Sequence, residues 1–516
     1  MRGEQRRLAE DILFCDMYEL TMAQLYHDAG LADRTALFEF SFRSYPDYGE
    51  HQAGYCVFAG LEWLYDWMDE CSFGPDAIAY LGSLQGRKGR PLFDAGFLER
   101  IAAGSPFDGL TLEAIEEGRI VHPNEPVVAV RGPLLQAQLL ETSLLNHLNY
   151  QTLVATKASR VRESARGGPV LEFGLRRAPD RGGSAGTRAA LIGGADFTSY
   201  VGMSRVLDLE PKGTHAHSMV QAFMALGMEE LGAFRAYADA FPDDCLLLVD
   251  TIDTLSSGVP NAIEVFGELR SRGHEPIGIR LDSGDLAYLS LQAAEMLDEA
   301  GFPDTTIVLS NQLEELAIWQ ILAQIEREAN PGEASRLIRR LSFGVGSRLI
   351  NSAGAAYLDG VYKLVAIEDG GRWVPAIKVS DNPEKTTIPG HKQVWRVYDR
   401  RGRATADLMA MRDEHPDAGQ GITLHHPSEY QVRRVLSPED ISGMEPLLKT
   451  AYEGGKRSNP EAPLQELRDR RQADLARLDP GVRRLVNPHR YHVSLTAGLW
   501  GLKQELIERA RAEQRR

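Results

Sequence analysis

Short apolar runs, each ending in a polar residue or a glycine, punctuate the middle of the chain. They are VLEFG (170 to 174), AALIGG (189 to 194), LLLVD (246 to 250), PIGIRLD (276 to 282), TIVLS (306 to 310), LSFGV (341 to 345) and YKLVA (362 to 366). Helical spacing fills most of the intervals. A parallel strand pair needs a crossover of about a dozen residues, so this rhythm predicts a parallel α/β domain. A helix over 136 to 165, ending before Gly167-Gly168-Pro169, precedes the runs. DRGGSAGT (180 to 187) reads as a mobile loop. Arg176, Asp250, Asp282, Ser310 and Gly346 fall at or just past the ends of runs, the edge where barrels and open α/β sheets bind ligands. Seven runs over about 200 residues fit an irregular barrel better than an open sheet.

The flanks have another texture. Asp16 and Glu19 form a helix start, Met22, Leu25, Tyr26 and Ala29 continue it, and Gly30 is its expected stop. TALFEFSF (35 to 42) alternates as a strand, and Val57, Phe58, Leu61, Leu64, Tyr65 and Met68 mark a second amphipathic helix. Leu495, Leu499, Leu502 and Leu506 make one helical face near the end. The expected organisation is an N-terminal α+β part over 1–135, a catalytic α/β barrel over 136–380, and a C-terminal part over 381–516 that folds back onto the first.

The chain has 516 residues, 43% hydrophobic and 25% charged, with a net charge of -16. Such an acidic protein is a poor general binder of nucleic acid or anionic membrane, so any phosphate must be held by local donors. Cys15, Cys56, Cys71 and Cys245 are widely spaced, without a zinc or redox pattern, and read as buried or partly buried thiols. The N-terminus has no signal-peptide run, and no apolar stretch reaches the roughly 20 residues that span a bilayer. The expected compartment is the cytoplasm.

Four segments carry candidate chemistry. In GIRLDSGDL (278 to 286), Asp282, Ser283, Gly284 and Asp285 follow a strand and open a helix. The paired carboxylates suit ribose hydroxyls or a diphosphate-bound Mg2+, and Arg280 can clamp a planar carboxylate. An N-cap aspartate beside a salt bridge explains the same residues. In FGVGSRL (343 to 349), Gly344 and Gly346 allow backbone to approach a phosphate, and Ser347 adds a hydroxyl; a tight turn is the alternative. In EPKGTHAHS (210 to 218), His215 or His217 can serve as a nucleophile or base; no third metal ligand follows, and a structural histidine is the alternative. Arg176 and Arg177 in FGLRRA (173 to 178) are anion clamps or a solvated basic loop.

Taken together, the series DMYELTMAQLY (16 to 26), ETSLLNHLNYQTLVATKASR (141 to 160), EFGLRRA (172 to 178), IGGADFTS (192 to 199), GTHAHS (213 to 218), VDTIDTLSSGVPNAI (249 to 263), IRLDSGDL (279 to 286), LSNQLEE (309 to 315), FGVGSRL (343 to 349), KVSDNPEKTTIPGHKQVWR (378 to 396) and NPHRYHVSLTAGLWGLK (487 to 503) resembles the nicotinate phosphoribosyltransferases. The resemblance implies an irregular (β/α) barrel of the type II phosphoribosyltransferase kind, with a second α+β domain from both chain ends, in a homodimer. It implies that nicotinate and 5-phosphoribosyl 1-diphosphate give nicotinate mononucleotide and diphosphate, with Mg2+ and with ATP as co-substrate. It implies that Tyr18 stacks on the pyridine ring, that Thr214, Arg280 and Arg176 contact nicotinate, that ATP phosphorylates His217, and that Gly346 and Ser347 bind the 5-phosphate. Ser347 stands where threonine is usual, Tyr200 where asparagine is common, and His215 is additional. Rival readings are a nicotinamide phosphoribosyltransferase, a sugar-phosphate lyase or aldolase, and a non-catalytic nucleotide sensor. The lyase reading lacks a lysine at the strand ends up to residue 346.

Overall fold

The computed structural model describes residues 7–380 and 385–514. Residues 381–384 of the KVSDNPEKTTIPGHKQVWR segment lie outside the described residues. By its contacts the chain divides into two units, 154–356 and the combination of 1–153 with 357–516. These cuts differ from the expected 135/136 and 380/381. The first cut falls inside the 24-residue helix Glu141–Ser164.

The unit 154–356 holds a six-stranded sheet in the order Phe197–Thr198, Val170–Glu172, Leu341–Val345, Thr306–Leu309, Gly278–Leu281 and Leu246–Leu248. Every neighbouring pair is parallel. Parallel strands covered by helices on their faces read as continuous apolar runs, and Leu341–Val345 is buried at all positions. One gap remains, between the first and last strands. The stretch before residue 217 spans it: Lys212 N–H donates to Thr198 O at 3.0 Å, and His215 Nε2 accepts Leu248 N–H at 3.1 Å. An irregular segment thus links both edges of the sheet, which is why the barrel is not a regular ladder.

Two of the seven expected strands are corrected. AALIGG forms the last turns of the helix Asp180–Gly193, and DRGGSAGT, expected as a loop, forms its beginning. A short apolar run has no period that separates a buried strand from a buried helix. The glycines serve close packing: a Cβ on Gly193 would lie 2.2 Å from Ala155 O, and one on Gly183 3.0 Å from Leu175 Cδ1. YKLVA belongs to the strand Gly360–Asp369, which pairs antiparallel with Thr35–Phe42 in the other unit. The strand that completes the parallel sheet is the two-residue Phe197–Thr198, too short to show a pattern.

The unit of 1–153 with 357–516 holds a seven-stranded antiparallel sheet centred on Thr35–Phe42 and Val128–Pro133, and a second, six-stranded sheet built around Ala404–Met411. The helix Met17–Asp28 has the expected capping box of Asp16 and Glu19. Val57 lies in the short strand Cys56–Val57, so the second amphipathic helix is Leu61–Glu70. Leu495 ends the strand His492–Leu495, and the last helix is Ala497–Gln514. Two buried arginines tie elements together: Arg119 donates to Glu445 and Asp474, and Arg396 to Asp407 and Asp474. Cys56, Cys71 and Cys245 are buried and Cys15 is half-buried, all outside disulfides. Among the described residues no helix is long and apolar enough to cross a membrane.

Candidate active site

Because all six strands run the same way, the residues that follow them meet at one edge of the sheet. Arg280, third residue of Gly278–Leu281, donates from Nε to Ser310 Oγ at 2.9 Å and from Nη2 to Asp282 Oδ1 at 3.0 Å. Ser310 Oγ also donates to Asp282 Oδ1. The guanidinium lies 5.5 Å from the Phe173 ring centroid. A cation held by a neighbouring carboxylate and hydroxyl above an aromatic face is fixed in orientation before any ligand arrives.

Asp250, just past Leu246–Leu248, has a side chain only 2% exposed. Its Oδ2 accepts from Ser283 Oγ at 2.5 Å and from Asp282 N–H at 3.2 Å, while Oδ1 is buried without a hydrogen-bond partner. His217 opens the helix His217–Ala225. Its Nδ1 lies 3.0 Å from Thr251 Oγ1, and its Nε2 lies 3.8 Å from both Asp250 Oδ1 and Asp282 Oδ2. His217, Asp250, Asp282, Ser283, Ser310 and Arg280 are therefore one connected set, drawn from the ends of four consecutive segments.

The other sequence-selected residues take distinct places. His215 faces inward, beside the Tyr237 ring at 4.9 Å, and burial lowers its pKa to about 4. It is neutral at pH 7 and bound to a strand amide. Thr214 Oγ1 donates to its neighbour's carbonyl, His215 O, at 3.1 Å. Asp285 caps the helix Leu286–Glu299, accepting from Ala287 N–H at 3.1 Å and Tyr288 N–H at 3.2 Å, and Gly284 has φ +77°, a region that favours glycine. Gly344 sits inside its strand, where a Cβ would lie 2.6 Å from Phe173 Cε2; its lack of a side chain makes room for that ring. Gly346 precedes the short helix Ser347–Ile350, which continues from the same sheet edge. Arg176 is exposed on the 3-10 turn Leu175–Arg177.

Tyr18 belongs to the other unit, where its side chain is 43% exposed. Burial and then Glu141 raise its hydroxyl pKa above the ordinary value. The adjacent Glu19 is fully buried, and burial pushes its carboxyl up to about 7.

Three residues of this region escaped the sequence reading. Glu172 is buried and accepts from Thr187 Oγ1, Thr198 Oγ1 and Gly174 N–H, which fastens two strand ends and a helix. Burial raises its carboxyl pKa. The signal was an acid inside a buried apolar run. Phe173 and Thr251 lay next to noticed residues but carried no pattern of their own. Asp250 was noticed as a strand-end acid, but nothing in the sequence joined it to His217.

Among the described residues no group of three or more His, Cys, Asp or Glu side chains is arranged to hold a metal ion. The donor set still fits a diphosphate-bound Mg2+, which needs only one or two protein carboxylates: Asp282 is partly exposed, and Asp250 Oδ1 is unpartnered.

The parallel barrel, with carboxylates, an arginine and a histidine at its C-terminal edge, has the type II phosphoribosyltransferase fold, as two solved structures show. Human nicotinic acid phosphoribosyltransferase superposes with a TM-score of 0.77 at 29% identity, covering 95% of this chain and 99% of that one. A nicotinate-nucleotide pyrophosphorylase from Pyrococcus furiosus shares the fold, with a TM-score of 0.64 at 20% identity over 90% of this chain and 94% of that one. Residues 13–149 match the family described as nicotinate phosphoribosyltransferase (NAPRTase) N-terminal domain, and residues 391–503 match its C-terminal domain. The Nicotinate phosphoribosyltransferase of Bacillus subtilis is 37% identical over 97% of this chain and 96% of its own length, and that of Caenorhabditis elegans is 33% identical over 95% and 92%. The chain belongs to the nicotinate phosphoribosyltransferase family of enzymes.

Proposed function

We propose that the enzyme joins nicotinate to 5-phosphoribosyl 1-diphosphate, giving nicotinate mononucleotide and diphosphate for NAD biosynthesis, and couples this to ATP hydrolysis through phosphorylation of His217. The supporting observation is the His217 imidazole, set 3.8 Å from two carboxylates on the edge that also carries Arg280.

In the main step the pyridine nitrogen lone pair forms a bond to ribose C1. The C1–oxygen bond to diphosphate breaks, and its electron pair leaves on the diphosphate. With positive charge on the sugar and negative charge departing, alignment and charge stabilisation are the protein's work, and alignment alone supplies roughly 7 to 11 kcal/mol. Arg280 holds the nicotinate carboxylate, with Thr214 and Arg176 as further contacts. Asp282, Ser283, Gly284 and Asp285 face the ribose and diphosphate, and Gly344, Gly346 and Ser347 form the 5-phosphate loop. Asp282, with Asp285 as the alternative, would hold a Mg2+ carried on the diphosphate, which would supply positive charge to the leaving group. The protein acts as a cytoplasmic homodimer in which Tyr18 of one protomer stacks on the ring bound by its partner.

In the coupling step a His217 ring nitrogen attacks the γ-phosphorus of ATP, the bond to the ADP oxygen breaks, and ADP leaves. Asp250 and Asp282 stabilise the positive charge that the imidazole acquires. The added phosphate then changes the charge at the edge. Hydrolysis of the phosphohistidine supplies the free energy that draws product formation forward.

Labelled ATP is expected to leave acid-labile phosphate on the wild type and none on His217→Asn; equal label on both would remove His217 from the role. Diphosphate release should be fastest with nicotinate, against nicotinamide and quinolinate, and stimulated by ATP. Preference for nicotinamide would overturn the acid assignment.

A further inference from the structure

A cavity of about 680 Å³ lies wholly among residues of the unit 1–153 with 357–516. Its volume is within the range of about 300–1,000 Å³ typical of small-ligand sites. Four arginines, two lysines and three histidines line it, against two carboxylates, Asp359 and Glu429. In a chain of net charge -16 this is a strong local reversal. The two acids are already engaged, Asp359 with Arg43 at 3.4 Å and Glu429 with His426 at 3.6 Å.

The remaining cations lack such partners. Arg433 and Arg490 have no carboxylate paired with them among the described residues. Lys503 is 2% exposed and donates only to backbone carbonyls, Pro427 O at 2.9 Å and Thr386 O at 3.5 Å. Burial, and then Lys392, lowers its pKa to about 8. His492 is held below its ordinary value by burial and then by Arg434, His489, His426 and Arg490. Like charges gathered in a concave, partly desolvated space repel one another and focus a positive potential; an anion placed among them offsets that cost.

We propose that this cavity is a second anion site, lined by none of the barrel-edge residues, that takes a small molecule bearing a polyphosphate group, gripped by Arg433, Arg490 and Lys503. Arginine forks match phosphate oxygens, and a cavity of this volume suits a small molecule. Tyr45, Leu424, Val432 and Val493 also line the space and offer apolar wall to a ring attached to the phosphates.

The test is calorimetric titration of the full-length enzyme with tripolyphosphate at low salt, comparing wild type, Arg433→Gln/Arg490→Gln and Arg280→Ala. The double variant should bind at this site at least tenfold more weakly, while Arg280→Ala retains it. Both arginines are exposed, so folding should survive, and the thermal midpoint without ligand verifies this. Amide hydrogen exchange gives a second readout: tripolyphosphate should slow exchange in 424–434 and 488–494 of the wild type. ADP binding more tightly than tripolyphosphate would identify a nucleotide as the source, and the reverse order an inorganic chain. Unchanged affinity in the double variant, loss of the site in Arg280→Ala, or no protection of either segment overturns the proposal.

Discussion

His215 Nε2 accepts the backbone N–H of Leu248 at 3.1 Å. A side chain thereby satisfies an amide on an edge strand that has no further strand beside it. The bond requires a neutral ring with its proton on Nδ1, a tautomer assigned from this contact, and burial keeps the ring neutral by lowering its pKa from 6.5 to about 4.

Replacing His215 with alanine leaves the buried Leu248 amide unpaired, at a cost of about 1–3 kcal/mol. A depressed folded-state pKa contributes stability above the unfolded value and loses it as the pH falls through the folded one. Wild-type stability by urea unfolding should therefore drop between pH 6.5 and 4 more steeply than that of His215→Gln, which keeps an acceptor but does not titrate. Parallel pH profiles would remove His215 from the acid response.

Asp250→Asn retains the shape of the side chain and removes its charge. Asp250 meets His217 only through the unpartnered Oδ1, so kcat in the ATP-coupled reaction should fall roughly 10²-fold or more. The KM for nicotinate should hardly change, and phosphohistidine label should fall in parallel. A rise in KM alone would place Asp250 in binding instead.

Arg280→Ala should raise the KM for nicotinate far more than that for phosphoribosyl diphosphate. Loss of a charge-assisted contact costs about 1.5–3 kcal/mol, equivalent to roughly 10- to 150-fold. Arg280→Lys should recover only part of this, because an ammonium cannot hold Ser310, Asp282 and a carboxylate in one plane. Equal effects on both substrates would count against the assignment.

Gly344→Ala drives a methyl group to 2.6 Å from the Phe173 ring. Overpacking of this kind costs about 1–3 kcal/mol, and displacement of Phe173 should also raise the KM for nicotinate through Arg280. Adding Phe173→Leu should restore much of the thermal midpoint. Failure of that rescue would show that backbone shift, rather than ring contact, limits the site.

The apolar runs read correctly as parallel strands were those buried over most of their length. VLEFG, LLLVD, PIGIRLD, TIVLS and LSFGV became parallel strands because burial on both faces demands unbroken apolar sequence. The same rule misled at AALIGG, whose burial against a neighbouring helix produces the same run. Phe197–Thr198 was invisible because two residues have no period. Arg280 and Asp282 were legible as a local pair on one strand end. The pairing of His217 with Asp250 was not, since the two are separated by more than thirty residues of sequence.

By itself the sequence determined the strand–helix alternation, the strand ends that carry charge and hydroxyl groups, and, through its ordered motifs, the family. Local spacing sets each of these, and local spacing survives in one dimension. Only the tertiary structure decided that His215 supports an edge strand while His217 faces two carboxylates, that Gly344 yields to Phe173, and that dispersed cations of both chain ends line one cavity. Those outcomes depend on which distant backbones approach each other, and that is set by packing of the whole chain.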